Sequence, residues 1–323
     1  MLRKIKLNLL INMIGRNIFK VLNKLSQSIN QAVSRWDISG KVKLNLHGKS
    51  FYMFSKCDDQ IVHRLYYGLA WEDSELKVWS ILSEKANTIL DIGANTGVFT
   101  IVSNKINPET TVYSFEPNPV NFKRLSYNLS INNLDCNRLI RKAVGDCEDV
   151  ITFTVPKNEE VSLVSSAVGE FSSSFFDIEY KKIAVEQTSL DTFITETDID
   201  HVDLIKIDVE YYEEFVLKGA KKLLAEHSPV IMCEIFLYEV LAGDKPDSPL
   251  VNSISKDQAD NIEKLMKEYG YNIFLIGSKG LLHVQDLKST PDGGRNYLFS
   301  KVKPAHKYLP YTNKSEILNI LKS

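Results

Sequence analysis

Between residues 91 and 97 the chain reads Asp-Ile-Gly-Ala-Asn-Thr-Gly, a D-x-G-x-x-x-G spacing that follows a short apolar run and opens a helical pattern. Small residues at a strand-to-helix turn let a ligand approach the backbone, and in a doubly wound sheet that turn borders the ligand crevice. The spacing differs from the G-x-G-x-x-G that lays a pyrophosphate on a helix N-terminus. An acidic residue at the head of the loop, Asp91, sits poorly beside phosphates and suits a ligand that presents a cation. Glu116 ends the next apolar run, 25 residues later. A carboxylate there can accept both hydroxyls of a ribose. Asp146 follows the third run, so acidic or small groups are expected at the ends of three successive strands on one sheet edge. Asp208 and Glu210 lie just past the fourth run and Glu234 ends the fifth, which places three carboxylates on the same crevice, with Lys206 as the neighbouring cation in an otherwise apolar segment.

The elements that must position these residues are legible from the apolar patterning. Residues 88–92, 111–115, 138–144, 150–155, 203–207 and 230–233 read as strands. Residues 97–105, 119–132 and 211–225 read as helices between some of them. Asn118-Pro119 starts the second of these, with Asn as N-cap and Pro at the first helical position. Strands alternating with helices of this length predict a mostly parallel sheet with helices on both faces. Before it, 42–54 alternates like a hairpin around His47-Gly48, and 69–83 reads as a helix entered near Glu72-Asp73. After it come a helix at 257–269 and strands at 272–276, 281–284 and 296–301, spaced for an antiparallel hairpin at the sheet edge. The chain thus divides into an arm at 1–38, a hairpin and helix at 39–85 packing on the core, a sheet domain at 86–303, and a C-terminal tail or helix at 304–323.

The 323 residues are 44% hydrophobic and 25% charged, which excludes collagen-like, disordered and coiled-coil classes. The near-neutral total of 39 basic and 41 acidic residues conceals a segregation. Residues 1–36 carry seven basic side chains (Arg3, Lys4, Lys6, Arg16, Lys20, Lys24 and Arg35) and no acidic one, leaving 32 basic against 41 acidic in the remainder. Ile11, Ile14, Ile18, Leu22, Leu25, Ile29 and Val33 recur at helical steps, so the arm is expected to be an amphipathic helix with a basic face. Two readings of it stand: packing on the body or on a second subunit, as in a homo-oligomer, or a peripheral contact with anionic lipid headgroups. Nucleic acid is not expected as a partner, because no aromatic residues interleave the basic ones and the body is acidic. Four scattered cysteines and the lack of an apolar run of membrane-spanning length suggest a cytoplasmic protein, either free or peripheral at the inner face of the membrane.

From Asn87 to Phe236 the sequence resembles the class I S-adenosylmethionine-dependent methyltransferases, and within them the FkbM family. The blocks that carry the resemblance are Leu90-Asp91-Ile92-Gly93-Ala94-Asn95-Thr96-Gly97, Phe115-Glu116-Pro117-Asn118-Pro119, Ser189-Leu190-Asp191, Asp203 to Glu210 (D-L-I-K-I-D-V-E), Leu217-Lys218-Gly219-Ala220 and Cys233-Glu234. The resemblance implies a Rossmann-like methyltransferase sheet with S-adenosylmethionine over its first strands. Asp91 and the loop of Gly93, Ala94, Asn95 and Gly97 would hold the methionine part, Glu116 with Asn118 the ribose side, and Asp146 the adenine amine. The family is associated with methylation of hydroxyl oxygens in sugars of surface glycans and in secondary metabolites. After Asp208-Val209-Glu210 it usually has Gly, where this chain has Tyr211-Tyr212, a bulky pair that bears on the shape of the acceptor pocket.

Methyl transfer to a hydroxyl requires alignment, exclusion of water and a group that takes the proton. Asp208 is the expected base or orienter. Glu210 and Glu234 would shape the acceptor site, with Lys206 paired to one of them. The expected acceptor is a sugar hydroxyl of a glycan or glycolipid precursor. The alternatives are a small secondary metabolite as acceptor, or a scaffold that kept the fold and lost the chemistry. Oxygen ligands from Asp208, Glu210 and Glu234 would suit Mg²⁺, but no His or Cys joins them and no metal is expected. His47, His63, His201, His227, His283 and His306 are scattered and read as surface or packing residues. The serine-rich stretch at 162–174 and the loop around Arg295 read as lids over the acceptor.

Overall fold

The computed structural model describes residues 38–68, 72–158, 160–162, 165, 167, 179–235, 249–287, 296–304 and 306–321. The cationic arm, with the helix expected in it, most of the serine-rich stretch and the loop around Arg295 lie outside the described residues.

A hairpin comes first, β1 (Ser39–Leu46) against β2 (Lys49–Lys56), turning at His47-Gly48 as the alternation predicts. Two helices follow, α1 (Gln60–Tyr67) and α2 (Asp73–Ser83). The central sheet then opens with β3 (Thr88–Ile92), α3 (Val98–Ile106), β4 (Thr111–Phe115) and α4 (Pro119–Ser130). Asn118 caps α4 as expected, its side chain accepting from the Val120 amide at 2.9 Å.

The third strand departs from expectation. It is broken into β5 (Leu139–Ile140), which pairs with β4, and β6 (Ala143–Gly145), which turns away to pair with β8 (Tyr180–Ser189) of a separate small sheet in the order β6-β8-β7, where β7 is Asp149–Pro156. Asp146 therefore follows a strand of the second sheet rather than ending a third strand of the main one.

The remaining elements are α5 (Leu190–Glu196), β9 (Leu204–Ile207), α6 (Glu213–Lys218), α7 (Lys221–Glu226), β10 (Val230–Glu234), α8 (Pro249–Glu268), β11 (Asn272–Gly277), β12 (Gly280–Val284), β13 (Asn296–Ser300), β14 (Tyr308–Pro310) and α9 (Lys314–Asn319). The helix expected over 211–225 is two helices. Asp191 supplies the start of the second, accepting from the Lys222 and Leu223 amides at 2.9 Å through its two carboxylate oxygens.

The main sheet runs β14-β12-β11-β13-β10-β9-β3-β4-β5. Strands β5, β4, β3, β9 and β10 are mutually parallel, and β13 inserts antiparallel between β10 and β11. The expected hairpin of β11 and β12 is present. The third strand of that group, β13, lies inside the sheet instead of extending the edge.

Because side chains alternate along a strand, each central strand feeds two cores. Ile89, Leu204, Val230, Met232 and Phe274 face α2, α3, α4, α9 and the hairpin. Leu90, Ile205, Ile231, Cys233 and Leu275 face α5 to α8. Burial on both faces explains why these strands read as unbroken apolar runs, and each fully buried aliphatic or aromatic side chain contributes about 1.5–3 kcal/mol. The alternation also puts Asp91 on the face of Ile89, and Lys206 on the face of Leu204.

The hairpin is tied to α4 by side chains that satisfy the backbone of β2. Asn132 both accepts from and donates to Tyr52, at 2.8 and 2.6 Å. Asn128 accepts from the Phe54 amide at 2.8 Å, and the Arg124 guanidinium grips both oxygens of Asp58 at 2.8–2.9 Å. These bonds join the end of β2 to α4 and the turn after it.

Candidate active site

The donor-side residues converge where β3 and β4 end. The Gly93 and Ala94 amides both donate to the Phe115 carbonyl, at 3.0 and 2.9 Å, which folds the loop over the end of β4. Asn95 follows at φ +51°, and its amide donates to Glu116 Oε2 at 2.8 Å. The Asn118 amide donates to Glu116 Oε1, also at 2.8 Å. The carboxylate of Glu116 is thus held flat against two loops, with lone pairs left for a diol. Burial pushes Glu116 up to about 8, against the two amides that favour its ionised form.

The glycines of this loop serve packing. At Gly93, φ is +81° and a Cβ would sit 1.9 Å from the Asp208 carbonyl; at Gly97, φ is +94° and a Cβ would meet Leu125 of α4 at 2.4 Å. The smallness read as room for a ligand is needed by neighbouring backbone and helix.

Asp91 is 1% exposed. Its Oδ2 accepts from Thr100 Oγ1 at 2.6 Å, while Oδ1 is buried with no protein partner; Asn95 Oδ1 is buried and unpartnered too. Two orphaned acceptors beside Glu116 fit a ligand that carries hydroxyls and a cationic amine. Asp146 is exposed beyond β6, and burial together with its charge raises the Tyr212 phenol above its ordinary value.

Lys206 stands in register with Asp91 across β3 and β9, 5% exposed, with its ammonium 2.6 Å from Asp208 Oδ2 and 4.4 Å from the centroid of Phe99. Its partner is Asp208 and not Glu210 or Glu234 as expected, because β9 places residues 206 and 208 two apart on one face. Burial alone would lower the ammonium, but the Asp208, Glu72 and Asp91 carboxylates outweigh it and hold Lys206 above its usual value. Burial, then Asp208, Glu210 and Glu72, push Glu234 well above the carboxylate range.

Two acidic residues that sequence reasoning missed join this cluster. Glu72, read only as a helix start, has φ +46° and makes no side-chain cap bond. Burial and the Asp208, Glu75 and Asp91 charges push it up to about 8, against Lys206. Glu75 accepts from Asn296 Nδ2 at 3.2 Å, and Asn296 is the register partner of Glu234. No local pattern marks these residues, since Glu72 and Glu75 precede Lys206 by more than 130 residues and Asn296 follows it by 90.

The Tyr211-Tyr212 pair sits in a strained turn, with Glu210 at φ +54° and Tyr211 at φ +72°. A non-glycine residue there costs about 1–3 kcal/mol and must be held. Glu213 Oε1 accepts from the Val209 and Tyr211 amides at 3.2 Å, and Gln258 Nε2 donates to the Tyr211 carbonyl at 2.9 Å. Tyr211 is buried, while Tyr212 stacks on Phe215 and donates to Gln187 Oε1 at 3.0 Å. Among the described residues, no three His, Cys, Asp or Glu side chains are grouped to hold a metal. No disulfide joins any of the four cysteines.

Residues 91–273 match the family model of the methyltransferase FkbM domain, which spans every candidate residue from Asp91 to Glu234. This chain belongs to the FkbM methyltransferase family. It is a methyltransferase of the S-adenosylmethionine-dependent kind. Among curated proteins, this FkbM chain is 28% identical over 191 residues to 2-O-methyltransferase NoeI of Sinorhizobium fredii, covering 55% of this chain and 77% of that one. It is 26% identical over 156 residues to the 31-O-demethyl-FK506 methyltransferase FkbM of Streptomyces tacrolimicus, covering 42% of this chain and 60% of that one. A crystal structure of methyltransferase FkbM from Methylobacillus flagellatus matches at 18% identity and a TM-score of 0.39, over 75% of this chain and 55% of that one. The family match leaves out the hairpin, α2 with Glu72 and Glu75, and Asn296, so this FkbM chain builds part of its acidic cluster from outside the shared domain.

Proposed function

We propose that the chain transfers a methyl group from S-adenosylmethionine to a hydroxyl oxygen of a sugar in a surface glycan or glycolipid precursor. The observation that carries the reading is the juxtaposition of Asp91, with its unpartnered buried oxygen, and the Lys206–Asp208 pair at the same sheet edge. The bound donor supplies an electrophilic methyl group on a sulfonium.

The residues around it have separable tasks. Asp91 and the loop of Gly93, Ala94, Asn95 and Gly97 hold the methionine end, Glu116 and Asn118 the ribose side, and Asp146 the adenine amine. Asp208, fixed by Lys206, orients the acceptor hydroxyl and takes its proton as the new carbon–oxygen bond forms. Glu210 and Glu234 shape the acceptor site. A positioned base of this kind contributes on the order of 10²–10⁴ in rate. Asp208→Asn should therefore lose that factor in kcat while keeping its affinity for S-adenosylhomocysteine.

The sugar acceptor is supported by the hydroxyl chemistry in the names of the relatives and by the Asp208, Glu210 and Glu234 carboxylates, whose charges act on one another at one sheet edge. Incubating the protein with methyl-labelled donor and extracts of cells lacking it tests the acceptor. Label on saccharide is the expected outcome. Label on a small organic-soluble product would favour the metabolite reading, and label on protein or RNA, and never on saccharide, would overturn the sugar acceptor. The basic residues of 1–36 support a second, separable task, peripheral contact of a cytoplasmic enzyme with anionic lipid near such acceptors. Anionic vesicles should bind the full chain and release a chain lacking residues 1–33, with donor affinity unchanged.

A further inference from the structure

The connection from β7 to β8 crosses the donor loop at Ser162, and its peptide is clamped from both sides. Asn121, in the first turn of α4 and 2% exposed, donates through Nδ2 to the Ser162 carbonyl at 2.8 Å. Its Oδ1 accepts from the Ser162 amide at 3.1 Å. The same Ser162 carbonyl accepts from Asn95 Nδ2 at 3.0 Å. Three residues further on, Ser165 Oγ is bonded to Asn118 Nδ2 at 3.0 Å. Two of the three asparagines tied to this connection, Asn95 and Asn118, are those whose backbone amides hold the Glu116 carboxylate.

An asparagine side chain can present its oxygen or its amide by a half-turn about its last torsion. The Ser162 carbonyl decides that choice for Asn95, because only the amide can donate to it. The oxygen, Oδ1, is then left facing no protein donor and buried. A buried acceptor without a donor is costly, and a ligand hydroxyl or amine relieves that cost on binding.

We propose that Ser162 is a strap over the donor loop and Asn121 its positioning residue: by clamping the Ser162 peptide, Asn121 fixes the Asn95 amide so that Asn95 Oδ1 accepts a ribose hydroxyl of the donor beside Glu116. This rests on the assignment of Glu116 to the ribose. The strap explains why a half-buried asparagine with a left-handed backbone is held so firmly at a loop that must meet a ligand. Asn121 touches neither the donor nor the acceptor; it acts through Ser162 and Asn95.

Calorimetric titration of the full chain with S-adenosylhomocysteine, and with its 2′,3′-dideoxyribose analogue, tests the assignment. Asn121→Ala should weaken S-adenosylhomocysteine about tenfold, the loss of one well-placed hydrogen bond, and weaken the analogue much less, so that the preference for the hydroxylated ligand narrows. Equal weakening of both ligands would show a merely structural role and overturn the proposal. Unchanged affinity of Asn121→Ala, with Glu116→Ala weakened, would overturn the strap alone. Unchanged affinity of Glu116→Ala would remove the ribose assignment and the strap with it. Should Asn121→Ala not fold, Asn95→Ala reads the same preference directly, and a full wild-type preference in that variant would overturn the proposal.

Discussion

Asp91 and Lys206 stand opposite each other in the parallel pairing of β3 with β9, on one face of the sheet, and Asp208 closes the group with a 2.6 Å ion pair to the same ammonium. One buried cation thereby holds together two carboxylates assigned to different tasks, one toward the donor and one toward the acceptor. Glu72, from α2, adds its charge from outside the sheet.

Removing that cation leaves the buried Asp91 and the half-buried Asp208 uncompensated. Lys206→Met should destabilise the fold by about 3–5 kcal/mol, the usual cost of breaking a buried pair from one side. Urea unfolding measures it, and Lys206→Met combined with Asp208→Asn should recover part of the loss. A single variant as stable as wild type would show that the carboxylates around Lys206 carry no net charge.

Donor binding should depend on pH through Glu116. Burial holds its proton up to about 8, whereas ribose hydroxyls donate to the ionised form. Affinity for S-adenosylhomocysteine should therefore rise from about pH 6 to about pH 9, with protons released at neutral pH and seen as a buffer-dependent binding enthalpy. Glu116→Gln should abolish the proton release.

The same shifts set the stability of the unliganded protein. Glu72 and Glu116 are pushed up to about 8 and Glu213 up to about 7, in each case first by burial. A carboxyl with a raised folded value contributes stability that is complete below its unfolded value and is lost as pH rises through the folded one. The unfolding free energy should fall between about pH 5 and about pH 8, and Glu72→Gln should flatten that slope. A flat profile in the wild type would contradict the burial of these groups in an ionisable state.

Glycines with the same backbone sign should differ in their tolerance. Gly93→Ala drives a Cβ into the Asp208 carbonyl and should abolish soluble expression or donor binding. Gly48→Ala, at φ +79° in the β1–β2 turn with nothing within 4 Å, should cost only the left-handed penalty of about 1–2 kcal/mol. Thermal melts of the two variants compare them directly.

Asn128 links the hairpin to the donor loop, accepting from the Phe54 amide and donating to the Thr96 carbonyl, each at 2.8 Å. Asn128→Ala leaves the buried Thr96 carbonyl and the half-buried Phe54 amide without this partner and should cost about 1–3 kcal/mol in total. Hydrogen exchange at Phe54 should accelerate in that variant.

The sequence by itself determined the parallel sheet and its helices, because two-sided burial writes the strands as apolar runs, and it named candidate site residues from the acids at strand ends. Asp91, Glu116, Asp208 and Glu234 are recognisable one strand at a time. The tertiary structure alone decided which of them meet. Lys206 reaches Asp91 and Asp208 through strand register, a relation between segments that no local spacing encodes. The departure of Asp146 into a second sheet, the arrival of Glu72 and Glu75 from α2 opposite Asn296, and the clamp of Asn121 on Ser162 were illegible for one reason. Each is a contact between residues distant in sequence whose side chains, read singly, are ordinary caps and turn residues. Chain order lists such residues; only packing brings them together and so gives them a chemical role.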